Sequence, residues 1–256
     1  MRRLSFFCYG MGRVGRFLCS VPVILVGLAA LPASAEDRPA KVTAAAQVLE
    51  GGENWRYFLF LPADYEKDDE SEWPMILWLH GRSLRGNDLE QLRRYGPPSF
   101  LAKQPDFPFV VVCPQLPDGS WPAKGLNNLL EECLKTYRVD ENRVVLTGDS
   151  LGAMGAWNLA GSFPGRFAGL SPITAHGPGW VAEKLIRMPI RAWHGDSDEA
   201  VPIVEHVALI KEIQNLGGDA EIEIVPGGTH GDVIGMNWRD PDWLAWIETL
   251  DRSKNE

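Results

Sequence analysis

Short apolar segments alternate with helical patterns along most of this chain. Eight of the segments predict β-strands, at residues 44–49, 54–61, 74–80, 108–113, 143–148, 167–173, 189–194 and 220–225. Most lack the polar–apolar alternation of a strand with one face in water, so both faces are expected to be covered. Helical patterns lie at roughly 87–94, 124–137, 151–163, 202–216 and 240–250. Because strands joined through helices form parallel sheets, we predict an α/β fold with a mostly parallel central sheet and helices on both faces. The first two segments lack an intervening helix and are expected to form an antiparallel hairpin at the sheet edge.

The first 35 residues have the features of an export signal. Four arginines precede an apolar run from Phe17 to Leu31, and Ala33-Ser34-Ala35 then supplies the small residues that a signal peptidase requires. We predict a signal peptide over residues 1–35, an exported protein that is periplasmic or secreted, and one folded domain over residues 36–256. A retained membrane anchor is the alternative, but the run is interrupted by polar and helix-breaking residues and is shorter than the roughly 20 apolar residues that span a bilayer. A lipidated cysteine is disfavoured, because neither Cys8 nor Cys19 follows small residues.

The charge of the chain argues against some classes of partner. The sequence has 34 Asp and Glu against 25 Lys and Arg, a net charge of −9. Cleavage of residues 1–35 removes four arginines and no acid, so the mature chain is more acidic still. Such a surface repels the phosphates of nucleic acids and of anionic membranes. We therefore expect no nucleic-acid partner and no stable membrane anchoring after signal cleavage.

Two cysteines, Cys113 and Cys133, remain after cleavage of the signal. In an oxidising compartment two cysteines can pair. Cys113, however, ends an apolar segment that predicts a buried strand, and sequence does not reveal the geometry that a disulfide requires. Sequence therefore leaves their pairing open.

The segment Gly148-Asp149-Ser150-Leu151-Gly152 stands directly between a predicted strand and a predicted helix. A serine on so tight a turn is forced outward from the sheet, and glycines are needed two residues to either side because a Cβ there would collide with neighbouring backbone. The helix that follows directs its amide end toward the serine, which favours negative charge at that point. The motif therefore predicts that Ser150 is a nucleophile.

A serine hydroxyl is a weak nucleophile unless a base removes its proton. In this type of strand–serine–helix arrangement the chain order is serine, acid, histidine, which leaves His206 and His230 among the five histidines. His206 lies inside a predicted amphipathic helix, where a structural role is expected. His230 follows strand 220–225 in a glycine-rich loop that can hold a side chain over the carboxyl edge of the sheet. We predict His230 as the general base.

The acid that orients this histidine should follow the strand that precedes the fourth predicted helix. The segment Trp193–Pro202 offers three carboxylates there. We choose Asp198, because it lies deeper in the loop and nearer to Pro202, which begins the helix. Asp196 is the alternative. The carboxylates that do not orient the histidine are expected to form turns or helix caps.

Negative charge that develops on a substrate carbonyl oxygen needs at least two convergent N–H donors. The amide of Leu151, directly after the serine, is the first candidate. The second is expected from the loop after an early strand, and we choose Arg82 in the segment His80–Ser83. His80 and His194 are expected to brace their loops rather than to react.

These motifs together resemble one branch of the α/β-hydrolase superfamily, the bacterial branch described as phospholipase/carboxylesterase, dienelactone-hydrolase-like or prolyl-oligopeptidase-like serine hydrolases. The resemblance covers residues 57–250 and rests on the segments 79–82, 85–89, 94–97, 112–115, 148–152 and 194–202 and on His230. It implies the α/β-hydrolase fold and esterase chemistry without metal or cofactor, with Ser150, Asp198 and His230 as the catalytic triad. Asp149 and Leu151 depart from the common pattern, in which many relatives have an uncharged residue and methionine, so no substrate is carried over by analogy.

The segment 174–188 is too short to contain the helical lid that many lipases insert at this point, so no sizeable lid domain is expected. An open site on an acidic, exported enzyme suits a small or polysaccharide-linked ester with a short-chain, aryl or carbohydrate group. Trp121, Trp180 and Trp238 lie in predicted loops and are candidates for an aryl or sugar platform, with packing as the alternative role. A serine peptidase that acts on short peptides is the alternative function, because the same triad cleaves amides. A non-catalytic binding module is disfavoured, because every triad position is filled.

Overall fold

The structure is a computed structural model that describes residues 41–48, 54–67 and 70–255. Within these ranges the chain forms one eight-stranded sheet in the order β1-β2-β4-β3-β5-β6-β7-β8. The strands are β1 Lys41–Val48, β2 Asn54–Leu61, β3 Trp73–Leu79, β4 Val110–Pro114, β5 Val139–Asp149, β6 Gly169–Ile173, β7 Ile190–Gly195 and β8 Ala220–Val225. Pairs β1–β2 and β2–β4 are antiparallel and the others are parallel. The predicted α/β fold is confirmed, and so is the antiparallel hairpin at the sheet edge. The predicted signal peptide lies outside the described residues.

The central strands are apolar at nearly every position because both faces of the sheet are covered. In β3, Met75, Leu77 and Leu79 pack into the core on one face, and Ile76 and Trp78 pack into the core on the other. All five side chains are fully buried. A strand covered on one side only would alternate polar and apolar residues, which explains why the sequence shows continuous apolar runs here.

Helices cover both faces, as predicted. The α-helices are α1 Ala123–Thr136, α2 Leu151–Ser162, α3 Ile203–Asn215, α4 His230–Val233 and α5 Pro241–Thr249. Side chains of α1, α2 and α3 belong to the core on one face, and those of α4 and α5 belong to the core on the other. Asp240 caps α5 by accepting a hydrogen bond from the Trp243 backbone N–H. None of the described helices is both long and apolar enough to cross a bilayer.

Three predicted elements differ most from the observed ones. The helix expected at 87–94 is a 3-10 helix, Leu89–Arg94. The strand expected at 143–148 begins four residues earlier, because Val139 pairs with Trp73 beyond an irregularity in the ladder. The loop expected around His230 contains the single helical turn α4, which Thr229 and Asp232 close with a capping box.

The two cysteines lie on opposite faces of the sheet. Cys113 of β4 belongs to the core on the face that α4 and α5 cover, and Cys133 of α1 belongs to the core on the other face. Both thiols are buried and free. Because the sheet separates them, the disulfide that the sequence left open does not form in this structure.

Candidate active site

Four loops meet at the carboxyl edge of the parallel strands. Gly81 and Arg82 follow β3, Ser150 follows β5, Asp198 follows β7 and His230 follows β8. Because parallel strands all end at the same edge, residues far apart in sequence are brought to one place. The structure thus places every predicted site residue at this edge.

The backbone at Ser150 is held in an unfavourable conformation. Its φ of 55° and ψ of −116° lie outside the regions that residues with a Cβ normally adopt. The Ser150 N–H donates to the Ile173 carbonyl at 2.8 Å, and a Cβ on Gly152 would overlap the Leu79 carbonyl. The turn is therefore tight enough to require glycine at position 152, and strain of this kind is typical of functional sites.

Ser150, His230 and Asp198 form one hydrogen-bonded line. The distance from Ser150 Oγ to His230 Nε2 is 2.9 Å, and that from His230 Nδ1 to Asp198 Oδ2 is 2.7 Å. Because an ionised carboxylate only accepts hydrogen bonds, Nδ1 carries the proton of the neutral imidazole and Nε2 presents its lone pair to the serine hydroxyl. Asp196 is exposed and accepts from the Gly227 N–H at 2.7 Å. The structure places Asp198, not Asp196, beside the histidine.

The surroundings of Asp198 keep its carboxyl group ionised. Its Oδ1 accepts from the backbone N–H groups of Ala200 and Val201, each at 2.9 Å. Burial alone would raise the pKa of Asp198, but the Val201 amide and the His230 imidazole outweigh it and bring the pKa below its usual value. A charged carboxylate is the form that holds the imidazole in the tautomer described above.

His194 contacts Asp198, and His206 in turn contacts His194. His194 Nε2 donates to the Val201 carbonyl at 2.8 Å and lies 3.2 Å from Asp198 Oδ2. The Nδ1 atoms of His194 and His206 are 2.8 Å apart. Burial lowers the pKa of His206 to about 3, so this side chain stays neutral. His206 thus has the structural position that its predicted helix suggested.

His80 holds the loop that contains Arg82. It is fully buried, its Nδ1 donates to the Gly81 carbonyl at 2.7 Å, and its Nε2 accepts from the Leu116 N–H at 3.0 Å. Burial lowers the pKa of His80 to about 4, which keeps the imidazole neutral. Arg82 is the first residue of a 3-10 helix and Leu151 is the first residue of α2, so neither N–H has an acceptor inside its own helix. Both residues line the cleft at Ser150.

A cleft of about 400 Å³ opens at the serine. Its wall is largely apolar, with Leu151, Met154, Val201 and Ile234 contributed by three separate parts of the chain. Tyr95 also lines it, with its hydroxyl oxygen accepting from the Gly81 N–H at 3.1 Å. Sequence reasoning did not assign Met154, Val201 and Ile234 to the site, because an isolated apolar side chain has no chemical signature.

The tryptophans proposed as a platform do not form one. Trp121 and Trp238 are only 4% and 5% exposed and belong to the cores. Trp180 is exposed but does not line the cleft at Ser150. Packing, the alternative role, therefore applies to Trp121 and Trp238. Over the described ranges no cluster of His, Cys, Asp or Glu is arranged to hold a metal ion.

This chain is similar in structure to several solved hydrolases, although its sequence matches no family model. A scan of protein-family models finds no match, and a search of curated proteins finds none. A solved thermostable esterase is 24% identical with a TM-score of 0.72, over 82% of this chain and 63% of that chain. A ferulic acid esterase is 16% identical with a TM-score of 0.60, over 82% of this chain and 94% of that one. An acylaminoacyl peptidase from Pyrococcus horikoshii is 14% identical with a TM-score of 0.63, over 85% of this chain and 44% of that one.

This chain thus spans less than two thirds of the thermostable esterase and less than half of the peptidase. TM-scores between 0.60 and 0.72 show that these proteins share an architecture with this chain. Together with the sheet order and the strand–serine–helix turn at Ser150, they show that the chain has the α/β-hydrolase fold.

Proposed function

We propose that this protein is a serine hydrolase that cleaves carboxylic esters through an acyl-enzyme on Ser150. The observation that carries the proposal is the line from Asp198 through His230 to Ser150, with distances of 2.7 and 2.9 Å, at the floor of an apolar cleft. A serine is activated when a correctly oriented histidine accepts its proton.

In the first half of the reaction, His230 Nε2 takes the Ser150 proton as Oγ attacks the ester carbonyl carbon. The carbonyl oxygen becomes an oxyanion, and the free N–H groups of Leu151 and Arg82 are the proposed donors that stabilise it. Asp198 stabilises the imidazolium that forms. His230 then gives its proton to the departing alcohol oxygen, the ester C–O bond breaks and the acyl group remains on Ser150.

In the second half, a water molecule takes the place of the alcohol. His230 removes one of its protons as the water oxygen attacks the acyl carbon, and a second oxyanion forms in the same position. The bond to Ser150 Oγ then breaks, and Oγ recovers the proton from His230. The products are a carboxylic acid and the regenerated enzyme, with no cofactor in the cycle.

The shape of the cleft supports esters with short-chain, aryl or carbohydrate groups. The segment 174–188 contains a 3-10 helix, Gly179–Lys184, whose Val181 and Ala182 are buried, and no α-helical lid. The apolar wall therefore consists of the few side chains around Ser150, which suit a compact acyl group. The similarity to an esterase and to a ferulic acid esterase supports ester rather than amide substrates.

A peptidase that acts on short peptides is the second candidate. Similarity to the acylaminoacyl peptidase from Pyrococcus horikoshii favours it, and amide cleavage uses the same serine and histidine chemistry. This chain spans 44% of that peptidase but 94% of the ferulic acid esterase. We rank the esterase first because of that fuller match.

The test compares kcat/KM for p-nitrophenyl acetate, methyl ferulate and N-acetylalanine p-nitroanilide, together with labelling by a fluorophosphonate probe. Ser150→Ala should abolish turnover and labelling, and Ser83→Ala, at a second serine lining the cleft, should still be labelled. Faster cleavage of the anilide than of the esters would replace the esterase proposal with the peptidase. Labelling that survives in Ser150→Ala would remove Ser150 from the mechanism, and the absence of all turnover and labelling would favour a binding module.

We further propose that the enzyme acts outside the cytoplasm, on the strength of the signal-like residues 1–35. N-terminal sequencing of protein recovered from the periplasm or medium should begin at Glu36. Recovery of the intact N-terminus in the cytoplasmic fraction would contradict export.

A further inference from the structure

Asp149, the residue directly before Ser150, has a fully buried carboxylate that joins three parts of the fold. It is the last residue of β5 and has no exposed surface. Its Oδ2 accepts from Trp78 Nε1 in β3 at 2.7 Å, and its Oδ1 accepts from the backbone N–H of Gly235 at 3.2 Å. Gly235 lies two residues beyond α4, the helical turn that begins at His230.

The segment 229–236 has few other hydrogen bonds that hold it in place. Thr229 and Asp232 bond to each other in the capping box, and the Met236 N–H donates to the Val233 carbonyl. All of these bonds are local. Within the described part of the chain, the backbone of this segment is hydrogen-bonded to the sheet through the Gly235 N–H and Asp149, and the His230 side chain makes the remaining contacts with the site.

From this arrangement we propose that Asp149 is a positioning residue, which ties the segment bearing His230 to the strand that ends directly before Ser150. Asp149 and the nucleophile are adjacent in sequence, so a tether from one fixes the histidine relative to the other. The inference rests on the proposed function, because it concerns the base of that reaction.

The charge of Asp149 adds to the tether. Burial raises the pKa of this carboxyl group to about 6, against the lowering effect of the hydrogen bonds from Trp78 and Gly235. Above about pH 6, Asp149 is a buried negative charge that interacts with His230, as the carboxylate of Asp198 also does. His194 and Tyr95 are the other titratable groups that interact with these residues. A buried negative charge stabilises the imidazolium that forms when His230 takes a proton. Protonation of Asp149 near pH 6 removes this charge and should contribute to the acidic limb of the kcat/KM profile, and Asp149→Asn should lose that contribution.

The principal variant is Asp149→Asn, measured with p-nitrophenyl acetate. Asparagine offers one acceptor oxygen to two donors, so the charge and one of the two bonds are lost. We expect kcat to fall by about 10- to 100-fold, the scale of a small misplacement of a catalytic group, with KM changed by less than about threefold. The matched control is Thr147→Val on the same strand, which removes a buried hydrogen bond to the Ser171 carbonyl without touching the histidine segment. It should leave both kcat and the acidic limb unchanged.

A second variant, Gly235→Ala, weakens the hydrogen bond to Asp149 without removing the Asp149 charge. It also avoids any substitution in the buried core. Gly235 has φ of +74°, and a Cβ there would have its nearest neighbour, Trp238 Cδ1, at 4.0 Å. Alanine has room but disfavours this backbone conformation, so the tether is loosened while Asp149 stays charged. We expect kcat to fall by about threefold to tenfold, with the acidic limb unmoved. Gly165→Ala, with φ of +83° and open space around it, imposes the same strain at a distant turn and should leave kcat as in the wild type.

The proposal is overturned if Asp149→Asn matches Thr147→Val in kcat and pH profile, or if Gly235→Ala matches Gly165→Ala. If Asp149→Asn does not fold, the glycine pair decides. All rates are normalised to the fraction of enzyme that the fluorophosphonate probe titrates. Failure of the proposed function gives a different result, since the wild type itself would then lack turnover and probe labelling.

Discussion

Replacement of Asp198 by asparagine tests the proposed triad at the residue for which sequence left an alternative. Asp198 Oδ1 accepts two backbone N–H groups, from Ala200 and Val201. The asparagine must keep its oxygen at that position, because an NH₂ group there would face two donors. Its NH₂ group then takes the place of Oδ2 and faces His230 Nδ1, which stands 2.7 Å from that atom in the wild type.

The consequence is a change of tautomer. Facing a donor, His230 Nδ1 must accept, so the imidazole proton moves to Nε2 and the lone pair no longer points at Ser150 Oγ. Loss of the correct tautomer in a serine–histidine–aspartate triad lowers kcat by about 10³ to 10⁴. This fall corresponds to about 4 to 5.5 kcal/mol of lost transition-state stabilisation.

The matched comparison is Asp196→Asn. This exposed side chain accepts from Gly227 N–H and Ser197 Oγ, so an asparagine oxygen can keep the backbone bond. Its kcat should stay within about twofold of the wild type, the scale of a surface substitution. Both are measured with p-nitrophenyl acetate near neutral pH after active-site titration. If Asp196→Asn is the more damaging change, or if Asp198→Asn retains more than about a tenth of the activity, the tautomer argument fails.

Three further predictions concern the turn, a buried histidine and the cleft. Gly152→Ala forces a Cβ into the Leu79 carbonyl. It should lower the free energy of unfolding in urea by about 3 kcal/mol or more, or prevent folding. A variant as stable as the wild type would contradict the tightness of the turn. The pKa of His206 is about 3 in the folded state against 6.5 for the free side chain, so the unfolded chain takes up its proton first and stability is lost as pH falls below 6.5. The wild type should lose about 1.4 kcal/mol per pH unit more than His206→Gln between pH 6.5 and 4, and parallel curves from urea unfolding would refute this. In a p-nitrophenyl series without detergent, kcat/KM should be higher for acetate and butyrate than for palmitate, because the wall of Leu151, Met154, Val201 and Ile234 is short; a rise toward palmitate would indicate an extended apolar channel.

Sequence was sufficient for the α/β architecture and for most of the strands. Continuous apolar runs such as 75–79 and 110–113 reflect burial on both faces, which is a local property that any buried strand shares. The ends of a strand were harder to predict from sequence where pairing with a distant strand decides them. Val139 joins β5 only because Trp73 lies opposite, and no local pattern announces that partner.

At the site, the strand–serine–helix motif and the glycine-rich loop before His230 pointed to two residues that the structure brings within 2.9 Å of each other. The choice between Asp196 and Asp198 depended on position in a loop, since the two have the same chemistry and lie two residues apart. The hydrogen bonds to Ala200, Val201 and His230 distinguish them, and these are three-dimensional contacts.

Sequence by itself thus determined the order of strands and helices, the tight turn at Ser150 and the loops that follow the parallel strands, because each follows from local periodicity or from the steric needs of one turn. Tertiary structure alone decided that Asp149 bonds to Gly235, 86 residues away, that Tyr95 reaches the cleft, and that the sheet separates Cys113 from Cys133. Such contacts depend on how distant segments pack against one another. The free energy that selects them is spread over the whole core, so no short stretch of sequence contains it.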